Sequence, residues 1–294
     1  MKELSGRTAF VTGGASGIGL GMVRKFLEAG MKVAIADVRQ DHLDTARSLI
    51  GPDKPVLYLR LDVTDRAAFL QAADEAEAAL GPVSILCNNA GVGVLGPALE
   101  SRYADWDWTL AVNLGGVING IQVFLPRFVA RDDGHIVNTS SIGAMLPMAG
   151  GAPYVASKAA VFALSEALAS EFDGTGVGVT VLLPGPTETN INQVARLSPA
   201  AYADTGLAEV ERQLEEAPIF AGGLDPLETG RMVLEAIAAN RLYLFTHTVF
   251  EAGVAEHFAA IMTGFKGGSD EDYGIGASNP LFARIAQSAA ARNS

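Results

Sequence analysis

Thr12-Gly13-Gly14-Ala15-Ser16-Gly17-Ile18-Gly19 leaves the apolar run Thr8–Thr12 and enters Gly19–Ala29, a segment with helical spacing of its apolar residues. The glycines at 13, 17 and 19 permit a tight turn and let main-chain amides come close to a ligand. A helix N-terminus directly beyond such a turn favours negative charge. Gly13, Ser16, Gly17, Ile18 and Gly19 are therefore candidates to hold a diphosphate. The spacing is Gly-x-x-x-Gly-x-Gly, not the Gly-x-Gly-x-x-Gly of the usual dinucleotide fingerprint.

The strand–turn–helix unit repeats outward from this point. Runs rich in β-branched and apolar residues at Thr8–Thr12, Lys32–Asp37, Val56–Leu61, Ile85–Asn89, His135–Thr139 and Val179–Leu183 read as strands buried on both faces. Helix-length segments lie between them at Gly19–Ala29, Asp41–Ile50, Asp65–Leu80, Asp105–Val129 and Tyr154–Phe172. Such alternation predicts an α/β fold: a doubly wound parallel sheet of Rossmann type with helices on both faces. No repeat, low-complexity tract or linker divides the chain, so residues 1–294 are expected to form a single domain. The character changes after Pro184. Residues 186–225 are polar and small, with one helical piece at Ala208–Glu216, and are long for a plain connection. A substrate-binding loop or lid is expected there. A helix (Pro226–Ala239), a strand (Leu242–Thr246), an apolar helix (Phe250–Thr263) and a glycine-rich tail follow, making 247–294 a C-terminal helical extension.

Composition narrows the function. The chain is 49% hydrophobic and 18% charged, enough to bury a sizeable core. A net charge of −12 argues against a nucleic-acid partner, because phosphate binding wants a basic face. The single cysteine, Cys87, fits a reducing cytoplasm. The N-terminus enters a strand pattern with no charged-then-apolar leader. No apolar run approaches the length of a membrane span, so no membrane partner is expected. His42, His135, His247 and His257 lack metal-ligand spacing and read as surface or structural, with no metal site.

Asp37 ends the second strand 18 residues past Gly19, where an acid can meet the adenosine ribose of a dinucleotide. A carboxylate there accepts from ribose hydroxyls and repels a 2′-phosphate, which favours NAD over NADP even with Arg39 nearby. Farther on, Tyr154-Val155-Ala156-Ser157-Lys158 puts a phenol and an ammonium four residues apart on one helix face. Opposite charge favours an ionised phenol, so Lys158 is expected to lower the pKa of Tyr154 toward neutrality.

Together these motifs resemble the short-chain dehydrogenase/reductase family, and they match in order over residues 5–189. They are the glycine loop at 12–19, Asp62-Val63, Asn88-Asn89-Ala90-Gly91, Asn113, Ser141 thirteen residues before Tyr154, and Pro184-Gly185 with Thr187 and Thr189. The resemblance implies that Tyr154 is the general acid/base and that Lys158 lowers its pKa and binds the nicotinamide ribose. It implies that Ser141 polarises the substrate oxygen, that Asn113 holds a water in the proton relay, and that Ser140 is a bystander. Asp62 and Val63 would contact adenine, Asn89 its ribose, and Pro184, Gly185, Thr187 and Thr189 the nicotinamide end, with Gly91 in the turn after the fourth strand. Cys87 reads as a buried small hydrophobe, and Trp106 and Trp108 as core residues.

Typical members end in a strand and an Asp-Gly-Gly turn that packs in a tetramer. Here Arg241–His247 leads instead into a further apolar helix, which departs from the usual tetramer ending but not from oligomerisation: a homo-oligomer, dimer or tetramer, is still expected. That ending and Ala36–Asp44 are similar to a bacterial branch that includes the Cα-dehydrogenases of lignin-derived β-aryl ethers. The expected activity is NAD-dependent oxidation of a secondary alcohol on an apolar aryl substrate. A carbonyl reductase, a steroid or polyol dehydrogenase, or a non-catalytic dinucleotide-binding regulator are the alternatives. The pocket is expected from Gly143–Pro153, with Met145, Leu146 and Met148, and from 186–225.

Overall fold

A computed structural model of the chain describes residues 3–191, 202, 204–216 and 221–266. Among them, seven strands run parallel in the order β3-β2-β1-β4-β5-β6-β7. They are β1 (Thr8–Thr12), β2 (Lys32–Asp37), β3 (Val56–Arg60), β4 (Val83–Asn88), β5 (Gly134–Thr139), β6 (Val177–Leu183) and β7 (Tyr243–Phe245). Each strand and helix read from the sequence appears with ends within two residues of expectation. β1, β4 and β5 are buried at every position because helices cover both faces.

On one face, α1 (Gly17–Glu28), α2 (Gln40–Ile50) and α8 (Pro226–Ala238) enclose Met22, Phe26, Leu43, Val233 and Ile237. On the other, α3 (Arg66–Leu80), α5 (Gly116–Arg131) and α6 (Ala152–Glu171) enclose Phe69, Phe124, Phe128, Val161 and Leu168. Phe10 of β1 sits 5.8 Å from Phe69 and 5.1 Å from Phe124, centroid to centroid. α1 and α8 touch backbone to backbone: a Cβ on Gly21 would lie 2.0 Å from the Pro226 carbonyl oxygen.

The helix expected at Asp105–Val129 is one continuous rod from Tyr103 to Arg131, with α4 (Tyr103–Leu110) passing into α5 through a π turn at Ala111–Gly115. Its length and mean hydropathy of 1.4 would suffice to cross a membrane, which corrects the expectation that no such segment exists. Half of that apolar window is buried inside the fold, where the rod packs on the sheet as a core helix.

The chain order reverses between β1 and β4, and the cleft opens there, beyond the C-terminal ends of the strands. After β6, the two ends of the 186–225 stretch are joined. Thr187 bridges Leu224, Leu224 N donates to Pro186 O at 2.9 Å, and Glu188 N donates to Leu224 O at 3.1 Å. Within that stretch, α7 (Ala208–Glu216) forms as read, while 192–201, 203 and 217–220 lie outside the described residues, as does the tail at 267–294. The apolar C-terminal helix is α9 (Glu251–Met262).

Candidate active site

A single cleft of about 550 Å³ gathers Gly13, Ser16, Gly17, Ile18, Asp37, Asp62, Val63, Asn89, Gly91, Ser141, Tyr154, Lys158, Pro184, Gly185, Thr187 and Thr189. Gly19 and Asn113 stand directly behind its wall. Gly13 and Gly17 adopt left-handed φ of 59° and 48°. A Cβ on Gly19 would lie 2.1 Å from the Gly13 carbonyl oxygen, and one on Gly17 would lie 3.0 Å from Thr189 Cγ2. Ser16 is the N-cap of α1 but makes no capping bond, and the first turn carries no acid. The helix therefore presents uncapped amides and the positive end of its dipole to the cleft, an anion cradle. Asn89 braces this loop. Its Nδ2 donates to Thr12 O and Gly13 O at 3.1 and 3.2 Å, so that nitrogen is already committed.

Asp37 is 7% exposed, and burial holds its carboxyl above the usual range despite bonds from Arg39 N (3.0 Å) and Ala15 N (3.3 Å). Arg39 turns to Asp41, donating from Nε at 3.0 Å. Asp62 caps its own turn through Thr64 N and Oγ1 at 2.9 and 2.8 Å, and Val63 O accepts from Asn119 Nδ2 at 2.8 Å. Asn190, which the sequence did not mark, and His42, expected to be surface or structural, join this end. Asn190 accepts from Ser16 Oγ at 3.2 Å, and its Nδ2 lies 3.2 Å from His42 Nε2. His42 thus faces the cleft, and burial followed by the Arg39 charge lowers its pKa. Their only sequence signal was position: Asn190 follows Thr189, and His42 lies in the first turn after Asp37.

At the opposite end, Ser141 follows β5 and accepts from Gly143 N at 3.0 Å, which leaves its own proton to give. Its hydroxyl is near enough to the Tyr154 phenol to favour the ionised form. Burial nonetheless raises the Tyr154 pKa, and the Ser141 hydroxyl offsets this only in part. The expectation that Lys158 lowers this phenol's pKa is not met in the chain alone. Lys158 Nζ lies 5.9 Å from the ring centroid and reaches past it to Thr139 O at 2.9 Å. Its own pKa falls to about 8 through burial. Ser140 is no bystander to this geometry: its hydroxyl donates to Lys158 O at 2.7 Å and pins α6 to the end of β5.

Asn113 sits in the π turn with its side chain held at both ends. Oδ1 accepts from Val92 N at 2.8 Å, and Nδ2 donates to Val92 O and Ser157 Oγ, each at 3.0 Å. A Cβ on Gly91 would crowd this corner, standing 3.2 Å from Asn113 Oδ1 and 3.3 Å from Lys158 Nζ. Pro184 O accepts from Ile142 N at 2.9 Å, and Gly185 N donates to Thr246 Oγ1 at 2.9 Å, tying β5, β6 and β7 together beneath the cleft.

The remaining walls are apolar. Leu146 and Met148 line the cleft, but Met145 does not: it packs against Val181 and Leu183 in the core. Trp108 serves both the core and the cleft, clustering with Val92, Val94 and Leu207 while facing the cavity. Leu207, from the connection after β6, is fully buried in that cluster. Gly206 N donates to Asp105 Oδ2 at 3.3 Å, and Asp204 pairs with Arg102. Cys87 is buried in β4, and its thiol is pushed far above the usual range. No group of three or more potential metal ligands occurs among the described residues.

The arrangement brings a glycine-rich helix N-terminus, a buried phenol and a serine hydroxyl together at the mouth of a largely apolar pocket. Comparison with known proteins agrees with this picture. A short chain dehydrogenase profile matches residues 7–199. The C alpha-dehydrogenase of Sphingobium sp. (strain SYK-6) is 38% identical over 266 residues, covering 89% of this chain and 87% of the relative. Among solved structures, a short chain dehydrogenase/reductase from Burkholderia phymatum in complex with NAD superposes with a TM-score of 0.82 at 35% identity, covering 90% of this chain and 96% of that one. The apo form of LigO from Sphingobium sp. strain SYK-6 gives 0.75 at 36% identity, covering 98% and 96%. With the glycine cradle, the tyrosine–lysine turn and these matches in agreement, the chain belongs to the short-chain dehydrogenase/reductase family.

Proposed function

We propose that this protein oxidises a secondary alcohol to a ketone with NAD, on an apolar aryl substrate such as a lignin-derived β-aryl ether. The observation that carries this reading is the meeting of Ser141, Tyr154 and Lys158 where the polar cradle joins the apolar pocket. The cradle suits a dinucleotide. The uncapped amides of α1 take the diphosphate, and Asp37 accepts from the ribose hydroxyls. Arg39 is held by Asp41, which supports NAD over NADP. Pro184, Gly185, Thr187 and Thr189 hold the nicotinamide end, Asp62 and Val63 flank adenine, and Lys158 meets the nicotinamide ribose. When bound, the nicotinamide supplies a two-electron hydride acceptor.

The chain's own residues manage the proton. Ser141 donates to the carbinol oxygen and orients it, and Tyr154 takes the hydroxyl proton. The phenol rests protonated because it is buried. Lys158, itself buried, stands with its Nζ 5.9 Å from the centroid of the Tyr154 ring. Asn113 is held by Val92 and Ser157, and its Oδ1, which accepts from Val92 N alone, keeps a lone pair for the relay water. Its bonds also brace the π turn against Val92 and against Ser157 of α6. Residues 186–225 act as the substrate loop, with Leu207 docked on Trp108, and 1–294 works as one unit. The near-full-length match to a C alpha-dehydrogenase supports the aryl substrate.

The test is a panel of benzylic, steroid, sugar and short aliphatic alcohols, read by reduced-nicotinamide absorbance with NAD and with NADP. Aryl carbinols should have the highest specificity constants, and NAD should be preferred. A sugar alcohol turned over better than any aryl alcohol would overturn the substrate class, and a preference for NADP would overturn the reading of Asp37.

A further inference from the structure

The cleft has a wall from the part of the chain least like the usual family ending. Beyond β7, His247 and Phe250 fold back onto Gly185. A Cβ on Gly185 would stand 2.6 Å from His247 Nδ1 and 2.8 Å from Phe250 Cε2. The imidazole is fixed by Thr246, whose Oγ1 lies 2.7 Å from His247 Nδ1 and also accepts from Gly185 N at 2.9 Å. Phe250 stands against that imidazole with ring centroids 6.0 Å apart and planes tilted by 59°. Behind it, α9 rests on the pocket segment. A Cβ on Gly253 would lie 3.4 Å from Leu146 Cδ1, and Val254 packs with Met145 and Leu183. The Phe250 ring lines the same cavity as Ser141 and Tyr154.

We propose that Phe250 is a specificity-determining residue, the wall against which a flat apolar substituent of the carbinol lies. This rests on the dehydrogenase reading and names the residue that enforces its substrate class. The geometry argues for it in three ways. The ring is anchored from behind by His247 and α9, so its position is preset and little side-chain entropy is lost on binding. It faces a cavity that Leu146 and Met148 also line, and these side chains adapt to an aromatic outline without competing for hydrogen bonds. It also presses on Gly185, so a substituent resting on Phe250 is held at fixed distance from the end of β6.

The test uses the full chain and the variants Phe250→Ala, Phe250→Leu and Phe258→Ala. Phe258 lies on α9 but is half exposed and outside the cleft, so it controls for damage to the helix. Two readouts are taken: kcat/KM for a diaryl carbinol and for 2-butanol at saturating NAD, and the equilibrium affinity for a diaryl ketone measured by isothermal titration calorimetry. Phe250→Ala should lower kcat/KM for the diaryl carbinol on the order of tenfold to a hundredfold. It should weaken the ketone by a similar factor and leave 2-butanol within about threefold. Phe250→Leu should fall between, and Phe258→Ala should match the parent. An unchanged aryl-to-butanol ratio, equal losses on both substrates, or the same loss in Phe258→Ala would overturn the proposal. So would failure of the parent to bind the ketone. A parent that binds the ketone in a Phe250-dependent way but turns over no alcohol would sustain the wall and refute the dehydrogenase reading.

Discussion

Lys158→Met should give a protein that is more stable than its parent near neutrality yet unable to turn over substrate. The lysine is 3% exposed, and burial lowers its pKa from 10.5 to about 8. At about 1.4 kcal/mol per tenfold change in proton affinity, that fall means the fold carries roughly 3 kcal/mol of cost for holding the charge. Below pH 8, folded and unfolded chains are both protonated and the cost is present in full. Between pH 8 and 10.5 the unfolded chain still binds the proton while the folded chain has shed it, so stability rises with pH. Above 10.5 the cost is gone. Methionine removes it at every pH but forfeits the 2.9 Å bond to Thr139 O, a loss of about 1 kcal/mol. The net gain at pH 7 is therefore about 2 kcal/mol, or roughly 4 °C in Tm for a chain of this size. Urea unfolding of both proteins without cofactor, followed by tryptophan emission from pH 7 to pH 10, measures the gap. Groups common to both cancel, so the gap isolates this one amine. A variant no more stable than the parent at pH 7, or a gap that does not shrink toward pH 10, would refute the argument.

Tyr154→Phe should cut turnover by roughly 10²–10⁴-fold, with NAD affinity measured calorimetrically within about threefold of the parent. Retention of more than about a tenth of the rate would remove the phenol from the mechanism. Oxidation should accelerate with pH, because burial raises the Tyr154 pKa and the phenol must shed its proton before it can accept one. A flat profile, with a solvent isotope effect showing that proton transfer limits the rate, would contradict this. Asp37→Ala should narrow or invert the ratio of specificity constants for NAD over NADP, since it removes the charge that faces a 2′-phosphate. Leu207→Ala should loosen the loop that docks on Trp108. Losing a fully buried leucine costs about 2–5 kcal/mol. KM for the alcohol should therefore rise at least about tenfold while the NAD dissociation constant stays put; an unchanged KM would mean the loop does not cover the substrate.

Local grammar carried much of the fold into view. Strand ends were legible because β-branched runs stop at glycines and acids, and the site motifs were legible because each is a short spacing tied to one strand end. What stayed hidden depends on contacts distant in sequence. His42 and Asn190 lie 148 residues apart and meet only across the cleft. Met145 and Met148 read alike in sequence, and only the turn of the chain sends one into the core and the other to the pocket. The pull of Lys158 on Tyr154 was overread because four-residue spacing places two groups on one face without saying how far each reaches. Burial, which raises the phenol's pKa and lowers the amine's, is a property of the assembled fold. The π turn at Asn113 was likewise invisible, since the run through it has ordinary helical periodicity.

The pairing of Thr187 with Leu224 bears on how such a protein diversifies. Because the feet of the intervening segment are pinned to each other and to the sheet, its closure is settled whatever the chain between them does. Doubling the length of a flexible loop adds only about 0.6 kcal/mol of closure entropy. Residues between the feet can thus be lengthened, shortened or exchanged while the strand end that carries the glycine cradle and the helix that carries Tyr154 keep their positions. A new substrate range becomes an insertion problem at one surface ring, separable from the scaffold that does the chemistry.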